Sequence, residues 1–99
     1  MSPTARSLAY LKEQGWLVDT VERWIPGANI RKDCFGCFDL IAVRPGEAAL
    51  IQVTSASNVA ARVQKIADSE LVAKVRECGV FTLLVHGWDG KRLRVVDVS

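Results

Sequence analysis

The chain reads as one α/β domain over residues 1–99, a central mixed β-sheet flanked by helices, with the element order α-β-β-β-α-β-β. Three observations predict it. A helical segment opens the chain, the stretch from Asp39 to Thr54 folds back on itself around Pro45-Gly46, and the apolar-rich run Val80 to His86 follows a second helical stretch. A strand buried on both faces and reached through a helix is the signature of a parallel crossover, so the sheet is mixed. Ninety-nine residues, 49% of them hydrophobic, are enough for one core and not for two.

Ser2-Pro3 starts the first helix, the hydroxyl as cap and the proline where its missing N–H costs nothing. Ala5, Leu8, Ala9 and Leu11 recur at helical spacing and Gly15 stops it. Leu17 to Arg23 is rich in β-formers and is expected as the first strand, broken by Pro26-Gly27-Ala28-Asn29. Ile30 to Cys37 is expected as a polar loop. After the hairpin, Ser55-Ala56-Ser57-Asn58 forms a capping cluster for a helix whose stripe is Val59, Val63 and Ile66. Asp68-Ser69-Glu70 marks a break or second cap, and Leu71, Val72 and Val75 carry the helical period on to Gly79. Val80 to His86 is the buried strand, Trp88-Asp89-Gly90-Lys91 a tight turn, and Leu93 to Val98 an edge strand.

The apolar runs are far shorter than a bilayer span, so no membrane partner is expected. No basic-then-apolar leader opens the chain, and three cysteines cannot all pair; both point to a reducing cytoplasmic setting. A net charge of +2 gives a weak overall field, so nucleic-acid binding has to come from local clusters. Arg31-Lys32, Arg62 with Lys65, and Lys91-Arg92-Arg94 are those clusters.

Chemistry concentrates in the hairpin. With the turn centred between Pro45 and Gly46, paired residue numbers sum to about 91, which sets Asp39 opposite Gln52. Opposed side chains lie roughly 4.5 to 5.5 Å apart at Cβ, a spacing at which a carboxylate and an amide oxygen hold one hard cation between them. Gln52 and Thr54 share a face by strand alternation.

Helix, strand, Gly36-x-x-Asp39 at the head of a hairpin, Ile51-Gln52-Val53-Thr54 in the next strand, then helix and strand, together resemble the PD-(D/E)XK nuclease superfamily. In size and layout the chain looks like the archaeal Holliday-junction resolvases and the small VRR-type nuclease domains. The resemblance implies a restriction-endonuclease-like fold and Mg²⁺- or Mn²⁺-dependent phosphodiester hydrolysis of DNA, branched or otherwise structured DNA included. It also implies a homodimer. Asp39 matches the first metal-binding position and Gln52 the second, in its less common form. Thr54 stands where the family has a lysine, and no glutamate occurs around Thr4 to Ser7, where resolvase-type members carry one. On this reading Asp39, Gln52, the Val53 carbonyl and, if its strand neighbours Asp39, Glu22 hold the metal. Thr54 orients water or phosphate, Arg62 or Lys65 replaces the lysine, and Arg31, Lys32, Arg62 and Lys65 bind the phosphate backbone.

The altered positions keep a rival open: a degenerate nuclease fold that binds nucleic acid or a protein partner without cutting. Cys34-Phe-Gly-Cys37 has metal-knuckle spacing but lacks a second pair. Asp33 reads as a turn residue and His86 as a structural histidine. Trp16, Trp24 and Trp88 are packing residues or, where exposed, surfaces for base stacking. Ser55 and Ser57 have no base nearby to make a nucleophile.

Overall fold

The computed structural model describes residues 1–99 as a five-stranded mixed sheet with three helices. Helix α1 covers Pro3–Glu13, with the Ser2 hydroxyl accepting from the Ala5 N–H at 3.1 Å. Strands β1 (Leu17–Thr20), β2 (Arg23–Ile25), β3 (Ile30–Lys32), β4 (Leu40–Arg44) and β5 (Glu47–Ser55) follow. A short 3₁₀ turn at Ala56–Asn58 leads into α2 (Val59–Asp68), then α3 (Glu70–Cys78), β6 (Phe81–Asp89) and β7 (Arg92–Asp97).

The sheet order is β1-β4-β5-β6-β7, with β2 and β3 forming a separate two-stranded hairpin. All neighbours in the sheet run antiparallel except β5 and β6, which are parallel. The α2–α3 crossover makes that one parallel pairing. Alternation then divides the core. Leu40, Ala42, Ala49, Ile51 and Val53 face α1 and Leu11, while Leu50, Leu83 and Val85 face Val59, Ile66, Val72 and Val75 of α2 and α3. At the crossover Gly87 lets α2 sit down on the sheet, since a Cβ there would lie 2.2 Å from Val59 Cγ2.

Several expectations need correction. The first strand does not run to Arg23: β1 ends at Thr20, the Val21 N–H makes the last bond toward β4, to the Asp39 carbonyl at 2.8 Å, and the Thr20 N–H turns to the open edge, where the Asp19 carboxylate takes it at 2.8 Å. Glu22 therefore lies in the break between β1 and β2 rather than inside a strand. The expected loop from Ile30 begins as β3, paired with β2. Its remainder is a tight turn in which Cys34 and Phe38 exchange backbone bonds of 2.8 and 3.0 Å around Phe35 and Gly36, both at positive φ. The Ser55–Asn58 cluster supplies no side-chain cap to α2; Ser55 and Ser57 bond each other instead, while Ser69 does cap α3 through the Val72 N–H. Strand β6 runs on through Trp88 to Asp89, so the turn falls later than expected. No helix is long and apolar enough to cross a membrane.

Candidate functional site

Two hairpins meet at Asp39. In the first, the ladder ends where Leu40 pairs with Ile51, and the Asp39 N–H also donates to the Ile51 carbonyl at 2.9 Å, so Asp39 shares that rung with Leu40 and adds none opposite Gln52; the two meet through their side chains. Asp39 Oδ2 accepts from Gln52 Nε2 at 2.9 Å and from the Val53 N–H at 2.8 Å. Gln52 Nε2 also donates to the Val53 carbonyl at 3.2 Å. Gln52 Oε1 is buried with no hydrogen-bond partner. Both side chains are deep, Asp39 7% and Gln52 3% exposed.

The second hairpin brings two further acids. The Asp39 carbonyl accepts from the Val21 N–H at 2.8 Å, pinning the end of β1 beside it. In β2–β3 the paired residues are Arg23 with Lys32, Trp24 with Arg31 and Ile25 with Ile30, and Glu22 and Asp33 flank the base just beyond the last rung. One carboxylate oxygen from each of Glu22, Asp33 and Asp39 lies within 4.8 Å of the other two. Arg31 Nη1 donates to Glu22 Oε1 at 3.0 Å from the outer side.

Burial is the main reason the Asp39 carboxyl is pushed up to about 7, the Val53 N–H opposes the shift, and the negative charges of Asp33 and Glu22 add to it. The donors on offer are oxygens alone: three carboxylates, the unpartnered Gln52 amide oxygen, and the Val53 carbonyl. Such a set suits a hard cation such as Mg²⁺, Mn²⁺ or Ca²⁺. Cys34, Cys37, Cys78 and His86 are not gathered into such a group of three.

Of the residues expected from sequence, Asp39, Gln52, Val53 and Glu22 come together. Arg31 joins them through Glu22. Thr54 is buried further along β5, and its hydroxyl bonds neither Asp39 nor Gln52. Arg62 and Lys65 lie on α2 without an ion pair or hydrogen bond to the cluster. Lys32 is exposed on the other face of its hairpin, beside Arg23.

Asp33 was expected only to make a turn. Its carbonyl does so, accepting from the Gly36 N–H at 3.0 Å, while its side chain joins the acids. A signal for this exists in the sequence: reflecting the chain about Pro26-Gly27-Ala28-Asn29, as about Pro45-Gly46, pairs Glu22 with Asp33.

His86 lies on the opposite, α1 face of the sheet. Trp88 Nε1 donates to Ser7 Oγ at 2.8 Å, and the same hydroxyl is hydrogen-bonded to His86 Nδ1 at 2.9 Å. Tyr10 meets the imidazole edge-on at 5.8 Å. Burial lowers the His86 pKa to about 4, so the ring is neutral, and Ser7 is wholly buried. This is a structural network with no access for a substrate. No protein-family model, curated protein or solved structure matches the chain, so the reading of the site rests on its own chemistry.

Proposed function

We propose that this protein is a divalent-metal-dependent nuclease that hydrolyses phosphodiester bonds in DNA, on a restriction-endonuclease-like fold of the PD-(D/E)XK type. The antiparallel succession β1-β4-β5, the parallel neighbour β6 reached through α2 and α3, and α1 on the other face all support that assignment. One observation carries the functional reading: Gln52 Oε1 is a buried acceptor with no partner, on a side chain that touches a cluster of three carboxylates. A buried acceptor left unsatisfied costs about 1–3 kcal/mol, and clustered carboxylates repel one another. A hard divalent cation offsets that repulsion and, after a half-turn of the amide, gives the Gln52 oxygen a partner.

Asp39, Glu22 and Asp33 would hold Mg²⁺ or Mn²⁺ through carboxylate oxygens. Gln52 would hold it through its amide oxygen after a half-turn of the amide, with the Val53 carbonyl close by. Gln52 brings no charge where the resemblance expects a carboxylate, and Asp33 restores that charge from the neighbouring hairpin. When bound, such a cation polarises a phosphoryl oxygen and acidifies water. Asp39 has to give up its proton to bind, so at or below neutral pH metal uptake releases protons. The Thr54 hydroxyl orients water or phosphate, and Arg31, Arg62 or Lys65 supplies the cation that a lysine gives elsewhere. The resemblance adds a homodimer and extends the substrates to branched or otherwise structured DNA.

The rival, a fold that binds nucleic acid or a protein partner without cutting, draws on the uncharged, buried Thr54. Linear, single-stranded, flapped and four-way-junction DNA, each offered with Mg²⁺ or Mn²⁺, decides between the two. Metal-dependent cleavage that Asp39→Ala removes is the expected result. Cleavage seen only after the double change Gln52→Glu, Thr54→Lys would instead favour the rival.

A further inference from the structure

The β2–β3 hairpin carries more than its two acids. Glu22 and Asp33 flank its base, and Trp24 stands opposite Arg31 two residues further out. Residues two apart on a strand share a face and are separated by about 6.7 Å. The tryptophan–arginine pair thus stands on the acids' side of the hairpin, and the Arg31–Glu22 bond of 3.0 Å agrees with this. Thr20, Glu22, Arg23, Trp24 and Arg31 line a cleft of about 190 Å³ that shares Glu22 with the acidic cluster.

Trp24 is 55% exposed, whereas Trp16 is covered by the Arg44 guanidinium at 4.1 Å and Trp88 is tied to Ser7. Arg31 spends Nη1 on Glu22, which draws its guanidinium toward the acids and leaves its remaining N–H donors free. An open indole beside an oriented guanidinium matches the chemistry of a nucleotide: the ring stacks on a base and the guanidinium takes the adjoining phosphate. A paired base inside a duplex has no free face for the indole, so an unpaired nucleotide fits and a paired one does not.

We infer that this cleft is a subsite for one unpaired nucleotide of the DNA strand whose neighbouring phosphate lies at the acidic cluster, an inference that rests on reading that cluster as the metal centre. The position also assigns Arg31, rather than Arg62 or Lys65, as the cation nearest the reacting phosphate.

The test is fluorescence anisotropy of labelled single-stranded oligothymidylate and of a duplex of equal length, measured in EDTA and again with Ca²⁺. In EDTA the metal centre contributes nothing, so failure of the metal reading leaves this arm unaffected. Trp24→Ala and Arg31→Gln are each expected to weaken single-strand binding about tenfold, with Trp24→Phe retaining most of it and duplex binding unchanged. Both residues are exposed, so circular dichroism should show the fold intact. Single-strand affinity unaltered in Trp24→Ala, or lost equally on the duplex, would overturn the subsite.

Discussion

Asp39 is a buried acid, and the cost of its position depends on pH. Its carboxyl is raised from an ordinary value of 3.8 to about 7 in the folded protein, chiefly by burial. A raised folded-state pKa means the native state holds this proton more tightly than the unfolded chain. The stability linked to that proton is whole below about pH 4, declines as pH rises, and is gone above about pH 7, a loss on the order of a few kcal/mol. His86 works the other way: its pKa is lowered from 6.5 to about 4, so its stability is whole above about 6.5 and lost as pH falls through about 4. The two windows overlap, and the wild-type profile alone mixes them. The difference between wild type and Asp39→Asn isolates the acid. Without metal, urea unfolding is expected to show Asp39→Asn gaining on the wild type between about pH 4 and 7 and holding that lead at pH 8. A wild type as stable as the variant at pH 8 would mean that Asp39 carries no buried-charge cost.

Among the elements, the β4–β5 hairpin was legible and the β2–β3 hairpin was not. The first has strands of five and nine residues, long enough for alternation to show. The second has strands of three residues each, too brief for a period, so only the reflection about its turn reveals it. Periodicity therefore sets Glu22 in a strand and Asp33 in a loop, although the two flank the base of one hairpin. Helix caps divide in the same way: Ser2 and Ser69 cap as their spacing predicts, whereas Ser55 and Ser57 bond each other ahead of a 3₁₀ turn. The seat of α2 against β6 was not visible either, because it depends on Gly87 having no side chain. Gly87→Ala is expected to cost roughly 1–3 kcal/mol by overpacking against Val59. In chemical denaturation Val59→Ala should then destabilise less in the Gly87→Ala background than alone. Additive effects of the two changes would show that Gly87 and Val59 do not compete for that space.

Over the whole molecule, the α/β class, the mixed sheet and the parallel crossover could be read from periodicity, because they follow from which residues must be buried. The site could be read only in part. Asp39 and Gln52 are joined by a local turn, whereas Glu22 and Asp33 reach them through a second hairpin and the Val21–Asp39 backbone bond. No spacing rule links those segments; the fold does. Arg62 and Lys65 looked near the site in sequence, but α2 gives them no bond to it, and Arg31 came closer by way of Glu22. On the proposed reading, Asp39, Gln52, Glu22 and Asp33 together hold one divalent cation. Isothermal titration with Mn²⁺ at pH 8 tests it most directly. A single saturable site in the wild type, absent in Asp39→Asn and weakened in Glu22→Gln and Asp33→Asn, is the expected result. Equal binding by wild type and Asp39→Asn, or no saturable binding by the wild type, would contradict it.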